Sequence, residues 1–437
     1  MPAPPIDTVD ATHLLRLLDE LEEDINISDD EALSRIEPYV APFGQGVRPE
    51  LRLSPGLGVT GLNALLTVEG VDAPAYLDDL NVAMQPLSLP KASPEVHNAD
   101  AGIPPVSGIV GADGRIQLVA PKAEVGFFTL DASERQPGKG IGALISEIFF
   151  AKINGLKRNR RNRRFDRDYK ATRPLIVAEG DSWVLYPWKL RDLAEHLTDS
   201  LNVWSVGAAG DEFREMLRTK EYLTALDDME QYRRRPDALL FSGGGNDILG
   251  DTLKSLLVPY TGGHEPGKNP ERFVRWNSTH PSGTTLERVL SGLMKMYGEL
   301  FDAMRKTYPD VAVVVHGYDY AETGSAREPI YALPGAKLFG YGDWLREAFE
   351  GKHICKEADQ DAVIRLLIDA YNIRLKKSVD ARAAAGENVH FADVRGVVRN
   401  DWANEIHPNT AGFGRVASKV LTVIRNAVPD APPAPVV

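Results

Sequence analysis

A serine follows an apolar run in the segment Leu175-Ile-Val-Ala-Glu-Gly-Asp-Ser182-Trp183. A strand that runs into a turn and then a helix would place Ser182 at the carboxyl end of a sheet, near the positive end of the helix dipole. That position suits a nucleophile whose reaction develops negative charge. Serine is also a common helix N-cap at such turns, and this segment alone favours the cap.

A glycine-rich turn follows a second apolar run, in Leu239-Leu-Phe-Ser-Gly-Gly-Gly-Asn246-Asp247. Glycines let the backbone approach a ligand closely. Asn246 could donate its side-chain amide to an oxyanion. A phosphate loop and a plain turn are the alternatives, and the Gly-x-x-x-x-Gly-Lys-Ser/Thr pattern of a nucleotide P-loop is absent here.

A histidine lies near carboxylates close to the end of the chain, in Asp401-Trp-Ala-Asn-Glu-Ile-His407-Pro-Asn. Imidazole has a pKa near neutrality, so His407 could act as a general base for a serine. A lone histidine in such a loop is more often structural than catalytic.

The elements that must position these clusters begin at Arg173, where short apolar runs alternate with longer helical stretches. This alternation predicts a parallel sheet with helices on both faces. Ligands bind such sheets outside the carboxyl ends of the strands. The predicted strands are Leu175–Ala178, Val203–Val206, Ala238–Phe241, Val311–Val315 and Val389–Phe391. The predicted helices are Trp188–Thr198, Glu212–Tyr232, Leu286–Lys306, Asp361–Ala385 and Ala411–Val428.

Together the clusters resemble the blocks of the SGNH, or GDSL-type, hydrolase family, in the family's order over about residues 173–428. The resemblance implies a three-layer α/β/α domain with a five-stranded parallel sheet of the flavodoxin type. It also implies a serine hydrolase without a cofactor. The matching blocks are Gly180-Asp181-Ser182, with Trp183 in place of the usual leucine or isoleucine, then Ser205–Asp211, Gly244–Asp247 and His407-Pro408.

The resemblance implies a role for each matching residue. Ser182 would be the nucleophile and His407 the general base. The backbone amides of Ser182 and Gly210 and the side chain of Asn246 would form the oxyanion hole. Asp181, Trp183 and Tyr186 surround the nucleophile, and we expect them to bind substrate, although the two aromatic residues suit core packing equally well.

One position departs from the family pattern. The last block has Asp three residues before His, and here that residue is Asn404. An amide can hold an imidazole ring but cannot stabilise its cation as a carboxylate does. We favour Asp401 as the group that orients His407, with Glu405, Asp393 or a backbone carbonyl as alternatives.

The substrate class stays open. Oxyanion chemistry implies an ester or thioester, and the long connections at residues 250–285 and 318–360 carry aromatic and polar residues that do not choose between lipid, carbohydrate and small esters. Two other hypotheses are a catalytically weak or inactive binding or effector protein, and a lipid acylhydrolase recruited to a membrane.

Charge is distributed unevenly over the chain, whose formal net charge is −12. An acidic N-terminal part precedes a basic run at Lys157–Arg167. This run is either a solvated linker or basic helix end, or a patch that binds an anionic partner such as phosphate or lipid headgroups. The run lacks the interleaved aromatic residues of proteins that bind single-stranded nucleic acid, so we expect no specific nucleic acid partner.

Several classes of protein are excluded by composition. The single cysteine, Cys355, excludes an intramolecular disulfide and a cysteine-based metal cluster. His264, His280 and His316 lack ligand spacing, so we expect no metal. The sequence contains no run of 18 apolar residues that would predict a transmembrane helix, and its N-terminus lacks the features of a signal peptide. We therefore expect a cytoplasmic protein.

Four segments are predicted. Residues 1–140 form a small α+β module of unknown role, with helices at Leu14–Leu21 and from the capping box Ser28–Glu31, and a strand pair within Ile109–Val119. Residues 141–172 form a helix and basic linker, residues 173–428 the hydrolase-like domain, and residues 429–437 a proline-rich tail.

Overall fold

The computed structural model describes residues 8–44, 50–52, 107–110, 116–119, 141–231, 235–277, 284–323 and 344–428. The chain divides into two compact units, Met1–Leu156 with Leu333–Gly340, and Lys157–Ala332 with Tyr341–Val437. The tail at residues 429–437 and the aromatic part of the connection at residues 324–343 lie outside the described residues. The segment limits predicted from the sequence stay predictions.

The described part of the first unit contains four short strands, two helices near the start of the chain, and the first part of a longer helix that continues beyond it. Strands β1 (Thr8–Asp10) and β2 (Glu50–Arg52) pair in parallel, and β3 (Ser107–Val110) and β4 (Ile116–Val119) pair antiparallel. Helix α1 (Ala11–Glu23) buries leucines spaced three or four residues apart, at positions 14, 18 and 21. Helix α2 (Asp29–Gly44) begins after Ser28, whose hydroxyl accepts a hydrogen bond from the backbone N–H of Glu31.

The second unit is built on a five-stranded parallel sheet, which confirms the predicted fold class. The strands are β5 (Leu175–Gly180), β6 (Asn202–Ser205), β7 (Ala238–Ser242), β8 (Ala312–His316) and β9 (Val389–Ala392). Their order is β6-β5-β7-β8-β9, which is 2-1-3-4-5 when the strands of this unit are counted along the chain. This is the flavodoxin-like order, and its topological switch lies between β5 and β7.

Every residue of β5, β7 and β8 is buried. Because neighbouring residues of a strand point to opposite faces, both faces of the sheet are covered, and the unit has three layers. The helices of this unit are α4 (Leu193–Leu197), α5 (Phe213–Thr219), α6 (Glu221–Gln231), α7 (Gly245–Leu249), α8 (Asp251–Leu256), α9 (Leu286–Thr307), α10 (Trp344–Glu350), α11 (Glu357–Ala384) and α12 (Thr410–Ala427), with a 3-10 turn at Pro270–Phe273.

Two predicted helices differ from the structure. The helix predicted over Trp188–Thr198 is confined to Leu193–Leu197, because the ammonium group of Lys157 holds the carbonyl oxygens of Trp188 and Leu190, at 3.3 and 2.6 Å, outside a helical pattern. Asp192 then caps α4 by accepting the Glu195 N–H. The helix predicted over Glu212–Tyr232 is two helices, divided at Lys220, whose φ of 56° is left-handed.

The basic run lies in helix α3 (Ile141–Asp168), and much of it is buried. Lys157 is 2% exposed and Arg160 0%, and Lys157 and Arg161 both pair with Asp192. These side chains are therefore not solvated. Arg163 and Arg167 are exposed, and an anionic partner at this run stays a prediction.

None of the described helices is both long and apolar enough to span a bilayer.

Candidate active site

Ser182 lies on a tight turn directly after β5. A Cβ atom on Gly180 would come within 2.6 Å of the backbone oxygen of Ser242, so glycine allows the ends of β5 and β7 to approach closely. The Asp181 carboxylate accepts hydrogen bonds from the Trp183 N–H, at 2.9 Å, and from the Tyr318 hydroxyl, at 2.5 Å. These contacts hold the turn that carries Ser182, which is 7% exposed.

His407 contacts Ser182, although the two residues are 225 positions apart in the sequence. Its Nε2 lies 2.6 Å from the Ser182 Oγ, and its Nδ1 lies 2.9 Å from the Oδ1 of Asn404. The loop is closed by the backbone N–H groups of Ala403 and Asn404, which both donate to the His407 carbonyl. Helix α12 follows, capped by Asn409. A serine hydroxyl against an imidazole nitrogen is the arrangement that activates a serine nucleophile.

The expectation that Asp401 orients His407 is corrected by the structure. The Asp401 carboxylate forms an ion pair with Arg415 of α12, so its charge is already compensated. The group that faces the Nδ1 of His407 is Asn404 itself, the residue at which the sequence departs from the family pattern.

The two alternative carboxylates are also engaged elsewhere. Glu405 accepts the backbone N–H groups of Leu345 and Arg346 at the start of α10, at 3.0 and 3.2 Å. Asp393 pairs with Arg395, at 2.6 Å. Neither carboxylate is therefore placed to serve His407.

The three expected oxyanion-hole donors follow the carboxyl ends of neighbouring strands. The Ala208 N–H donates to the Gly180 carbonyl, at 2.9 Å, which ties the loop after β6 to the end of β5. Gly210 in this loop has a φ of 89°, a left-handed conformation that favours glycine. The Asn246 side-chain amide donates to the Asp211 carbonyl, at 2.9 Å, and so lies against the same loop.

The backbone N–H groups of Ser182 and Gly210 have no acceptor among the described residues. Buried or partly buried N–H groups are rarely left unpaired, and such groups at a functional site are usually reserved for a ligand or water. Ser182 is buried, and Gly210 is partly exposed. These two N–H groups are therefore available to an oxyanion.

The residues expected to bind substrate lie in the interior. Trp183 is 4% exposed, its ring packs against Tyr318 with centroids 5.2 Å apart, and its indole N–H donates to the Ile406 carbonyl. Tyr186 is 4% and Asp181 1% exposed. These side chains are about as buried as Ser182 and His407, at 7% and 4%, and a role for them in substrate binding stays a prediction.

Burial shifts the ionisation of the site. It lowers the pKa of His407 to about 3. It raises the pKa of Asp181 to about 6, although the hydrogen bonds from Tyr318 and Trp183 act in the opposite direction. It also raises the pKa of Asp211 to about 8, against the charge of Arg158.

Buried tyrosines support the glycine turn after β7, and the sequence analysis did not identify them. The hydroxyls of Tyr297 and Tyr371 both donate to the Gly243 carbonyl, at 2.9 and 2.5 Å. The third, Tyr318, holds Asp181. Only Tyr318 carried a signal in the sequence, since it follows the end of the predicted strand Val311–Val315.

The described part of the chain has no cluster of three or more His, Cys, Asp or Glu side chains that could hold a metal ion. His264 faces the Arg272 guanidinium at 2.6 Å, and His316 is fully buried. His280 lies outside the described residues.

Comparison with solved structures matches the chain to lipases and esterases over somewhat more than half its length. An extracellular lipase from Streptomyces rimosus is 16% identical, with 57% of this chain and 98% of that chain covered and a TM-score of 0.35. A Clostridium thermocellum family 3 carbohydrate esterase is 15% identical, with 58% and 98% covered and a TM-score of 0.31.

A protein from Slackia heliotrinireducens whose name assigns it to the SGNH hydrolases is also 15% identical, with 58% and 99% covered and a TM-score of 0.31. No family model and no curated protein matches the sequence. At these identities and TM-scores the likeness carries no argument about function, which has to be made from the geometry around Ser182.

Proposed function

We propose that this protein is a serine hydrolase of the SGNH type that cleaves carboxylic esters through Ser182 and His407. The observation that carries the proposal is the 2.6 Å contact between the Ser182 Oγ and the His407 Nε2, at the carboxyl end of β5 beside the topological switch of the sheet. The order of the four sequence blocks supports the same interpretation.

The first half of the reaction forms an acyl-enzyme. The Ser182 oxygen attacks the ester carbonyl carbon while its proton passes to the Nε2 of His407. The carbonyl oxygen becomes an oxyanion as the tetrahedral intermediate forms. When this collapses, the bond to the alcohol oxygen breaks and the leaving oxygen takes the proton from Nε2. The acyl group is then esterified to Ser182, and His407 is neutral again.

The second half releases the acid. Water attacks the acyl carbon and gives a proton to Nε2, and the new tetrahedral intermediate breaks its bond to the Ser182 oxygen, which takes that proton back. Each step uses only groups of the chain, the ester and water, so the proposal includes no cofactor.

The oxyanion of both intermediates would be bound by the N–H groups of Ser182 and Gly210 and by the side chain of Asn246. The Asn246 amide has two N–H donors, and one of them is used by the Asp211 carbonyl. The second can serve the oxyanion without breaking that bond. A donor of this kind lowers the barrier by roughly 3–4 kcal/mol.

The acyl and alcohol parts of the ester are left open by this mechanism. The similar proteins are named as a lipase and a carbohydrate esterase. Lipid esters and carbohydrate esters are the first two classes to assay once activity on a simple ester is established.

The test is covalent labelling with a fluorophosphonate probe together with hydrolysis of p-nitrophenyl acetate. We expect the probe to modify Ser182, as mapped by mass spectrometry, and Ser182→Ala to lose both labelling and turnover. Ser418→Ala is the matched control, because this serine is exposed on α12 and should behave as the unmodified protein. Turnover by Ser182→Ala at the unmodified rate would refute the proposal.

A further inference from the structure

We propose that Asn404 performs the positioning role of a triad acid: its amide oxygen, whose orientation is set by two backbone N–H groups, holds His407 in the tautomer that serves Ser182 without placing a negative charge beside the ring. This inference rests on the proposed function for its catalytic meaning. The tautomer itself can be tested without turnover.

The orientation of the Asn404 amide follows from its donors. The backbone N–H groups of Ile406 and His407 both point to the same terminal atom of the side chain, at 3.1 and 2.9 Å. Two donors require an acceptor, so this atom is the oxygen, since the NH₂ group has no acceptor capacity. The side chain also forms a hydrogen bond with the Tyr186 hydroxyl, which can accept from the NH₂ group.

The tautomer of His407 follows from that orientation. Its Nδ1 lies 2.9 Å from the same Asn404 oxygen and must therefore carry the hydrogen. A neutral imidazole has one N–H, so the Nε2 keeps its lone pair, and this lone pair faces the Ser182 hydroxyl at 2.6 Å. The ring is thus set to take the serine proton.

The same geometry explains why asparagine is tolerated here. In a serine protease triad, replacing the acid by asparagine lowers kcat by about 10⁴, because the amide selects the wrong tautomer. In this chain, a flipped amide would direct its NH₂ group at the N–H groups of Ile406 and His407. The backbone opposes that flip. We therefore expect asparagine at position 404 to lower kcat much less than it does in the serine protease triad.

The acidic groups closest in sequence to His407 bind other partners. Asp401 is paired with Arg415 and the Glu405 carboxylate is bound by the first N–H groups of α10. The Tyr186 ring packs against His407 with centroids 4.9 Å apart, and its hydroxyl is neutral, because burial raises the pKa of Tyr186 above its ordinary value. The group that faces the Nδ1 of the imidazolium formed during catalysis is therefore the Asn404 dipole.

The direct test is the ¹⁵N NMR spectrum of the histidine-labelled full-length protein near pH 7. His407 is assigned by the signals that disappear in His407→Gln. We expect cross-peaks that place the hydrogen on Nδ1 and leave Nε2 unprotonated. A ring with the hydrogen on Nε2 would overturn the inference, whether or not the protein hydrolyses esters.

Two substitutions test the catalytic meaning on p-nitrophenyl acetate. Asn404→Asp keeps every acceptor and adds the missing charge, so kcat should rise by about tenfold or more with little change in KM. Asn404→Leu removes the acceptor, so kcat should fall by about 10²-fold or more. If the leucine variant does not fold, the aspartate variant still decides the question.

The control for an added charge is Asn388→Asp. Asn388 contacts His390 at 2.8 Å at the start of β9, the edge of the sheet opposite the site. The Asn388→Asp substitution should leave kcat unchanged. An unchanged kcat in Asn404→Asp, or in a folded Asn404→Leu, would overturn the positioning role. If the NMR spectrum shows the expected tautomer but the protein hydrolyses no ester, the positioning of His407 by Asn404 is supported and the proposed function is refuted.

Discussion

The indole N–H of Trp183 donates a hydrogen bond of 2.9 Å to the carbonyl oxygen of Ile406, 223 residues away in the sequence. The first residue follows the serine that we propose as the nucleophile, and the second precedes the histidine that we propose as its base. This bond therefore joins the two halves of the site directly, beside the contact between the reacting groups themselves.

Trp183→Phe tests that connection. The phenyl ring keeps most of the packing but leaves the Ile406 carbonyl without its donor, which costs about 1–3 kcal/mol of stability. We expect kcat on p-nitrophenyl acetate to fall by about tenfold, with urea denaturation reporting the stability loss. Trp402→Phe is the comparison, because its indole N–H bonds only to the nearby Arg399 carbonyl. It should cost similar stability and less kcat, and equal kcat in the two variants would contradict the connection.

Asn246→Ala tests the oxyanion hole. The amide is expected to bind the transition state more strongly than the ester, so kcat should fall by about 10²–10³ and KM should change little. Steady-state kinetics on p-nitrophenyl acetate measure both constants. A raised KM with unchanged kcat would show that Asn246 binds the ground state instead.

The pH dependence of kcat/KM tests the environment of His407. An ordinary histidine loses its base form below a pKa of about 6.5, and here burial lowers the pKa to about 3. The neutral base is therefore retained as the pH falls, and kcat/KM should stay level from pH 8 to about pH 5. In Asn404→Asp the added charge raises the histidine pKa, so the acid limb should move to higher pH. An acid limb near pH 6.5 in the unmodified protein would contradict this.

Tyr318→Phe tests the support of Asp181. Burial raises the pKa of Asp181 from 3.8 to about 6, so its contribution to stability is complete below pH 3.8 and is lost as the pH rises through about 6. Removing the Tyr318 hydroxyl takes a donor from the carboxylate and raises its pKa further. We expect a loss of about 1–3 kcal/mol at pH 8 and a smaller loss at pH 4.5, measured by urea denaturation.

The control for that experiment is Tyr320→Phe. The Tyr320 hydroxyl donates to Asp369 at 2.8 Å, but that carboxylate is 40% exposed and can be solvated instead. The change in unfolding free energy should be small and similar at both pH values. A Tyr318→Phe loss that is the same at pH 4.5 and pH 8 would contradict a role for Asp181 ionisation.

Asp192→Asn tests the buried charge cluster that joins α3 to the segment after Ser182. Asp192 is 0% exposed, and Arg161 and Lys157 lower its pKa against the effect of burial. The asparagine removes the buried counter-charge of Lys157 and Arg161 and leaves them the partly exposed Glu195, at 3.5 and 3.8 Å, which should cost about 3–5 kcal/mol in chemical denaturation. Asp199→Asn, which breaks a surface pair with Arg191, should cost at most about 1 kcal/mol.

The strands of the second unit were predictable because both faces of the sheet are covered. Fully buried strands are continuous apolar runs, so Ala238–Ser242 differs from its predicted bounds by one residue at one end, and Ala312–His316 by one residue at each end. The parallel topology then places the ends of these strands at one edge. The meeting of Ser182 with His407 was expected from the resemblance of the blocks to the SGNH family, because His407 does not directly follow a strand.

The segment after Ser182 could not be predicted from local pattern. Its apolar residues are spaced as in a helix, but the backbone carbonyls of Trp188 and Leu190 are held by Lys157, more than 30 residues earlier in the sequence. Long-range hydrogen bonds of this kind override the local preference of the chain. The burial of the basic run could not be predicted for the same reason, because its acidic partner Asp192 also lies more than 30 residues away in the sequence.

The sequence itself indicated the proposed site residues: the order of the four blocks and their resemblance to the SGNH family point to Ser182, Gly210, Asn246 and His407. Which group faces the far side of the His407 ring was decided only by the tertiary structure. Asp401 was the better chemical candidate, but Arg415 takes its carboxylate, and the closed loop turns the Asn404 oxygen to the ring. Both depend on backbone paths that the sequence does not show.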